Sequence, residues 1–328
     1  MKESDTLYFC TLFDTSYLSR GLALYNSLEK QCQHFKLYIV AFNQKSHDIL
    51  KTLNLQHAII ISLEAFENER LLSVKPHRGV GEYCWTSTSS VIKYCLETYH
   101  LDHCTYLDSD LYFFSSPLPL LSENPNKSVL ITEHRYTPKY DQSEMSGIYC
   151  VQFMYFKNDE LGLKCLNWWV DACIEWCYAI PEDGKFGDQK YLDDWTERFD
   201  GIHELEHLGG GVAPWNVQQY KFELQNNKLI GLEKKTNKAF DVVFFHFHDV
   251  RFLNTNEVDF GNYTLEKDVL DLIYKPYLKA LDEAKTMAQK VDREIDPHGT
   301  RNKPNTLKDK LKRIKRKFDK NFNLYPLD

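Results

Sequence analysis

Two carboxylates, two residues apart, interrupt an apolar run in the first half of the chain. Asp108 and Asp110 lie within "TYLDSDLYFF" (105–114), where most of the other residues are large and apolar. Removing one carboxylate from water is costly, and removing two without a cation is worse. Residues two apart on a strand point to the same side, so both acids can reach one cation if the strand ends or bends there. The pair predicts a metal site, with a solvated turn between two short strands as the alternative.

The elements that would position these acids alternate between strand and helix. The pattern predicts strand 6–13, helix 16–31, strand 35–42, helix 46–55, strand 57–63 and helix 86–99. This order predicts an α/β fold with a mostly parallel sheet and crossover helices. Ligands of such sheets bind beyond the carboxyl ends of the strands. Asp14, after the first strand, and Asp108 are therefore expected at one crevice.

The second half of the chain is less regular. Its sequence pattern predicts strands 128–136, 147–157 and 240–252 and helices 161–177 and 265–295. A glycine loop is predicted at 207–216. Residues 296–305 have the composition of a linker. We predict a catalytic domain at 1–260, C-terminal helices at 261–296 packed on it, and a linker and basic tail at 297–328.

Composition excludes several classes of function. The chain has 328 residues and a net charge of −7, but residues 301–328 carry ten Lys or Arg against three Asp, which leaves the rest at −14. An acidic body does not favour nucleic-acid binding. No dinucleotide or P-loop glycine motif is present. The nine cysteines form no C-x-x-C pair, and the N-terminus does not have the pattern of a signal peptide, so a reducing cytoplasm is predicted.

Seven motifs carry a family resemblance over about residues 5–255. In chain order they are "TLFDTSYL", "SSVIKYCL", "YLDSDLYFF", "GIYCVQFMYF" with the "NWW" helix, "GDQKYLDDW", "GGGVAPWN" and "VVFFHFH". In this order they resemble the nucleotide-sugar glycosyltransferases of the GT-A fold, closest in pattern to family 8 and related bacterial polysaccharide-assembly enzymes. One departure concerns the donor sugar: relatives often carry Asn-x-Gly where this chain has Cys150-Val151-Gln152.

The resemblance implies a metal-dependent transfer of a sugar from a nucleotide sugar, most simply a UDP-sugar. The acceptor would be a saccharide or lipid-linked saccharide in surface polysaccharide assembly, with retention of configuration. The metal would be Mn²⁺ or Mg²⁺, held by Asp108, Asp110 and a late histidine. His246 and His248 lie on the same side of their predicted strand, so either can be the ligand, and the family pattern favours His246. A neutral core histidine is the alternative for each.

Residues at the end of the first strand are implied to bind the nucleoside. Thr11, Phe13 and Asp14 would hold uracil and its ribose, with Phe13 packed on the base. The alternative is a helix entry, because Asp and Thr are good N-caps.

Other positions are implied to bind the diphosphate and the sugar. Ser109 lies between the two acids and is assigned with Asp108 to the donor. Lys93 would place a cation at the diphosphate or the donor sugar, with a solvated helix residue as the alternative. Asp188 and Gln189 would contact the transferred sugar beside its anomeric carbon, and an N-cap is the alternative for Asp188.

Two other classes of protein remain as alternatives. Phosphatases of the haloacid dehalogenase type also carry D-x-D after an apolar strand, but usually on the first strand of the fold. A non-catalytic nucleotide-sugar-binding protein would use the same donor residues without turnover.

The C-terminal tail predicts a basic amphipathic helix. Leu307, Leu311, Ile314 and Phe318 recur at steps of four, three and four, and Lys and Arg fill most of the other positions of 306–322. Such a helix suits the surface of an anionic bilayer, which would place the enzyme on the cytoplasmic face of the membrane. The alternative is a helix packed on the acidic body.

Overall fold

Seven strands form the central sheet in a computed structural model that describes residue 1, residues 5–304 and residues 306–327. Their order is β3-β2-β1-β4-β7-β6-β8. The first four strands pair in parallel, and β7 runs antiparallel to both β4 and β6. The bounds are β1 Leu7–Phe13, β2 Phe35–Ala41, β3 Ala58–Ser62, β4 His103–Leu107, β5 Leu111–Phe113, β6 Val129–Glu133, β7 Tyr149–Lys157 and β8 Ile202–Glu204. The predicted α/β class with a mostly parallel sheet is confirmed.

Three smaller sheets accompany the central one. Their orders are β11-β10-β9, β12-β5 and β13-β14-β15. The bounds are β9 Tyr220–Gln225, β10 Lys228–Glu233, β11 Ala239–Asp241, β12 Phe244–His246, β13 Arg251–Leu253, β14 Glu257–Asp259 and β15 Leu324–Pro326.

Helices cover both faces of the central sheet. The helices of ten or more residues are Leu18–Gln31, Gln44–Leu53, Val80–Thr98, Glu160–Glu175, Lys275–Val291 and Leu307–Phe318. The shorter ones are Leu63–Phe66, Glu69–Val74, Leu118–Leu121, Ser143–Ser146, Trp195–Arg198 and Lys267–Val269, with a π-helical turn at Leu270–Tyr274.

Side-chain alternation along β1 divides the core into two layers. Cys10 and Leu12 belong to the layer under helices Val80–Thr98 and Glu160–Glu175. Phe9 and Phe13 belong to the opposite layer, together with side chains of helix Leu18–Gln31. Because successive strand residues point to opposite faces, one apolar strand serves both layers.

The helix before the two acids begins earlier than predicted. It starts at Val80, not at residue 86. Gly79 is its N-cap residue, and the Glu82 carboxylate accepts the Gly79 N–H at 2.7 Å. A glycine N-cap offers no side-chain signal, which explains the missed first turns.

The strand predicted at 240–252 is interrupted. β12 ends at His246 and pairs with β5, whereas β13 begins at Arg251 and pairs with β14. Asp249 between them has φ of 68°, in the left-handed region that ends a strand. Because β11 also ends within the segment, at Asp241, three different sheets share it.

Residues 296–304, whose composition predicts a linker, are packed against the body. Pro297 and His298 are buried. The Arg301 N–H donates to Phe252 O at 2.9 Å, and the final strand β15 pairs with β14. Backbone hydrogen bonds thus hold this segment to the body, and the three-part division of the chain stays a prediction.

A matched pair of glycines tests the packing at helix starts. A Cβ on Gly162 would lie 2.3 Å from the Lys157 carbonyl oxygen, whereas a Cβ on Gly81 meets nothing within 4 Å. We expect Gly162→Ala to lower the free energy of unfolding by about 1–3 kcal/mol through overpacking. Gly81→Ala should raise it by about 0.5–1 kcal/mol, since alanine is the better helix former. Urea unfolding of both variants measures this, and equal effects of the two would contradict the packing described.

Candidate active site

The two acids occupy the turn that joins β4 to β5. β4 ends at Leu107, and the Leu111 N–H donates to the Asp108 carbonyl at 3.1 Å to close the turn. The Asp108 N–H donates to Gln152 O at 3.0 Å, which fixes the turn to β7. The chain thus bends at the acids, which is the condition under which both carboxylates can reach one cation.

His246 joins the acids because β12 pairs with β5. His246 lies opposite Leu111 in this pairing, and the Phe247 N–H donates to Asp110 O at 3.0 Å. The His246 Nε2 atom is 3.2 Å from Asp110 Oδ1 and 3.7 Å from Asp108 Oδ2. Ligand atoms of the three residues all lie within 4.8 Å of one another. Two carboxylates and one imidazole at this spacing form a possible site for a divalent cation.

Gln152 orients the imidazole of His246. Its Oε1 atom is 2.9 Å from His246 Nδ1, and both side chains are buried. A ring that donates Nδ1–H to this amide oxygen directs its Nε2 atom to the acids, as ligating histidines in metal sites do. Sequence reasoning missed this role, although a glutamine within the apolar strand "YCVQFMYF" was a visible signal.

The electrostatics of the cluster require a positive charge. Burial raises the pKa of Asp108 to about 7, assisted by repulsion from Asp110 and opposed by His246. Burial would raise the pKa of Asp110 as well, but the positive imidazolium of His246 outweighs it and lowers that pKa to about 2. Burial would lower the pKa of His246, yet Asp110 raises it well above its ordinary value. Without a metal, a protonated His246 therefore neutralises Asp110.

His248 lies apart from this cluster. Its side chain is exposed, and its ring contacts Trp215 with 5.6 Å between centroids. Trp215, from the predicted glycine loop, also packs edge-on against His246 at 5.3 Å. Among the described side chains, the ligand-spaced cluster contains His246 and not His248.

Asp188 lies near the acids, and Gln189 follows it in the chain. Asp188 is buried, and its carbonyl accepts the Trp169 indole N–H at 2.9 Å. Burial raises the pKa of Asp188 to about 8, with a further contribution from the charge of Asp108, which reflects their proximity. Gln189 is half-buried and donates from Nε2 to Ser146 O at 2.8 Å.

Of the three residues predicted to bind the nucleoside, two are buried and one is a helix N-cap. Thr11 is fully buried within β1. The Phe13 ring is buried so closely against helix Leu18–Gln31 that a Cβ on Gly21 would lie 2.2 Å from it. The predicted stacking of Phe13 on a base is not compatible with this packing. Asp14 is at the carboxyl end of β1, where its Oδ1 accepts the Ser16 N–H at 2.8 Å as an N-cap.

Lys93 is not brought to the acids. Its ammonium contacts Glu97 at 2.5 Å and Asn167 at 2.7 Å. Helix Val80–Thr98 ends shortly before β4 begins, so its last turns lie at the sheet edge opposite the carboxyl end. This geometry favours the alternative interpretation of Lys93, a solvated helix residue. Ser109, between the acids, is buried with 8% of its surface exposed.

One other group of described side chains brings three potential metal ligands together. Cys10, Cys95 and Cys104 have their sulfur atoms within 4.8 Å of one another. All three are fully buried among the apolar residues of one core layer. Their enclosure assigns them to core packing.

A series of variants tests the assignment of His246. We expect His246→Ala to abolish detectable Mn²⁺ binding, because it removes one of three ligands. Gln152→Leu should weaken binding by about 10- to 100-fold, the usual effect of losing a residue that orients a ligand. Gln152→Glu, which keeps an acceptor for Nδ1–H, should retain it.

The matched control is His248→Ala, which removes an imidazole two residues away. Titration calorimetry with Mn²⁺ measures all four variants. Loss of Mn²⁺ affinity in His248→Ala, with retention in His246→Ala, would reverse the assignment.

Comparisons with known proteins agree with this architecture. No family model matches the chain. Among solved structures, the galactosyltransferase LgtC in complex with donor and acceptor sugar analogs has a TM-score of 0.52 and 11% identity, covering 84% of this chain and 96% of that one. At this identity the likeness shows the fold, which is that of the GT-A glycosyltransferases.

Two curated proteins of Bacillus subtilis (strain 168) are similar in sequence. YfnD is 26% identical over 279 residues, which cover 83% of this chain and 88% of YfnD. YfnF is 30% identical over 299 residues, which cover 89% of this chain and 97% of YfnF. Both are described as uncharacterized proteins. The chain belongs to the same protein family as YfnF.

Proposed function

We propose that this protein is a metal-dependent glycosyltransferase that takes a sugar from a nucleotide sugar, most simply a UDP-sugar. The observation that carries the proposal is the convergence of Asp108, Asp110 and His246 at the carboxyl end of β4, with Asp188 in the same cleft. In an α/β sheet this edge is where ligands bind. The GT-A fold supports the same reaction class by analogy.

The ligand set suits Mn²⁺ better than Mg²⁺. Asp108 and Asp110 supply carboxylate oxygens that either ion accepts, whereas the His246 nitrogen favours Mn²⁺. A divalent cation held there would act as a Lewis acid on the diphosphate that leaves with the nucleoside. The three side chains would hold that charge, and Gln152 orients the imidazole.

Two residues of the cleft are proposed to contact the transferred sugar. Burial raises the pKa of Asp188 to about 8, which favours a protonated carboxyl that can donate to a sugar hydroxyl. Gln189 is proposed to contact the same sugar beside the anomeric carbon. Retention of configuration and a saccharide or lipid-linked acceptor in surface polysaccharide assembly complete the proposal, and both rest on the family resemblance.

The C-terminal helix supports a peripheral position on an anionic membrane. Helix Leu307–Phe318 is fixed to the body by Arg316, whose guanidinium contacts both Asp259 oxygens at 2.7 and 2.8 Å. Three apolar side chains of the predicted stripe are exposed: Leu311 by 59%, Ile314 by 53% and Phe318 by 82%. The Leu307 side chain lies outside the described residues. A helix docked through a basic residue leaves its apolar stripe free for a bilayer, and its other lysines favour anionic lipid.

This membrane contact would be peripheral. Within the described residues, no helix combines the length and apolar character needed to cross a bilayer. We propose that the enzyme binds the cytoplasmic face, where a lipid-linked acceptor would be accessible.

The reaction is tested with a panel of UDP-, GDP- and CMP-sugars in the presence of Mn²⁺. We expect one UDP-sugar to raise the melting temperature and to be hydrolysed slowly. Asp110→Asn should lose more than about 100-fold in metal-dependent turnover, since it removes a ligand charge at the leaving group. Asp282→Asn, which changes an exposed acid on helix Lys275–Val291, is the control and should act as wild type.

Three outcomes of that panel decide between the classes. No stabilisation by any nucleotide sugar contradicts the proposed function. Binding without turnover supports a non-catalytic binding protein. Near wild-type turnover in Asp110→Asn contradicts the metal site.

Membrane binding is tested by co-sedimentation of the full-length protein with vesicles. We expect binding to phosphatidylglycerol-containing vesicles at low salt and not to pure phosphatidylcholine, because each basic residue near an anionic surface contributes about 1 kcal/mol. A triple variant, Leu311→Ser with Ile314→Ser and Phe318→Ser, should lose it. Substitutions are preferable to truncation, because β15 follows the helix and pairs with β14.

The control for the triple variant removes exposed apolar side chains elsewhere. Leu72, Ile180 and Leu224 are 49%, 53% and 59% exposed. Their replacement by serine should leave sedimentation unchanged. Equal vesicle binding by wild type and the tail variant would exclude the helix as the membrane contact.

A further inference from the structure

A cavity beside Asp110 has a wall formed by the C-terminal segment 296–301, which we name the strap. The cavity has a volume of about 280 Å³, and Arg20, Arg251 and Arg301 line it together with Asp110. Sites for whole drug-sized ligands measure roughly 300–1,000 Å³, so this space suits part of a ligand, such as its phosphates. The lining has three guanidinium groups against the two carboxylates of Asp110 and Asp249, and this excess of positive charge favours an anion.

The strap is held firmly against the start of helix Leu18–Gln31. Arg20 is only 4% exposed and donates to the carbonyl oxygens of Val250 at 2.6 Å and His298 at 3.0 Å. The Ser19 N–H donates to Pro297 O at 2.9 Å. The His298 ring stacks on Phe252 with 3.9 Å between centroids. The strap is therefore an ordered wall of the cavity.

The three arginines differ in what their guanidinium groups contact. Arg20 is occupied by backbone carbonyls, and Arg251 forms an ion pair with Asp249. Arg301 has a fixed backbone, with its N–H on Phe252 O at 2.9 Å and its carbonyl accepting the Asn254 N–H at 3.0 Å. Its side chain is exposed and forms no hydrogen bond or ion pair with the residues that the structure describes. Arg301 is thus the guanidinium available to a ligand.

We propose that Arg301 binds phosphate oxygens of the donor's diphosphate, so that the C-terminal strap forms part of the donor site. A guanidinium presents a planar fork of donors that matches phosphate oxygens and stays charged at all relevant pH values. Asp110 and Arg301 line the same cavity. A diphosphate bound beside the two acids would therefore share this cavity with the Arg301 guanidinium. The inference rests on the proposed function, whose donor carries that diphosphate.

Inorganic pyrophosphate, UDP and uridine separate this inference from the proposed function. Calorimetry is performed on the full-length protein with Mn²⁺ at fixed salt. We expect Arg301→Gln to lower the affinity for pyrophosphate and for UDP by about 10- to 100-fold, the scale of a lost charge-assisted contact. The affinity for uridine should not change. Arg301→Lys should recover part of the affinity because it keeps the charge. Arg293→Gln, an exposed arginine outside the cavity, is the matched control and should behave as wild type.

A second variant tests the strap without changing any charge. Gly299 has φ of 62°, and a Cβ there would lie 2.7 Å from Ser16 O. Gly299→Ala should therefore displace the strap and weaken the binding of pyrophosphate. Circular dichroism checks that the variant is folded. Wild-type pyrophosphate and UDP affinity in Arg301→Gln, or in a folded Gly299→Ala, would overturn the inference. Pyrophosphate binding that depends on Arg301, with no binding of any nucleotide, would support the anion site and overturn the UDP donor.

Discussion

The repulsion between two partly buried carboxylates is the constraint on which the site depends. Asp108 and Asp110 stand in one tight turn, and the Asp110 side chain is only 13% exposed. Two negative charges so placed need a cation nearby. In the protein by itself, the imidazolium of His246 supplies it. A divalent cation can take over that role, with the imidazole then acting as a neutral ligand.

The charge balance makes the orientation of one ring important. His246 can serve as a ligand only if Nε2 faces the acids, and the hydrogen bond from Nδ1 to Gln152 favours that orientation. Gln152 lies in the three residues, Cys150 to Gln152, where the resemblance in the sequence predicts Asn-x-Gly. The departure therefore acts at the cluster of Asp108, Asp110 and His246. A glutamine amide there gives the imidazole a neutral acceptor, which leaves the net charge of the site to the two aspartates and the cation.

The distribution of charge along the chain has a structural counterpart. The strongly basic C-terminal segment returns to the acidic body through specific pairs, Arg316 with Asp259 and Lys303 with Glu257. These contacts orient the last helix so that Leu311, Ile314 and Phe318 face solvent. The sequence offered two alternatives for this helix, packing on the body or an apolar stripe free for a bilayer. Helix Leu307–Phe318 packs on the body and also keeps its apolar stripe exposed. The same return of the chain brings the strap to the cavity beside Asp110.

Local patterns were sufficient for part of this protein. Strands β1, β2 and β3 and helix Leu18–Gln31 follow from apolar periodicity, and the two acids stand out because their spacing and apolar flanks lie within ten residues. The histidine that joins the two acids could not be identified in this way, since His246 and His248 share one side of a predicted strand. That choice was made by the pairing of β12 with β5 and by the turn at Asp249. The placements of Phe13, Lys93 and Arg301 likewise depend on contacts between residues far apart in the chain. Periodicity reports which face of an element is apolar, but the partner that covers that face is decided only when the whole chain folds.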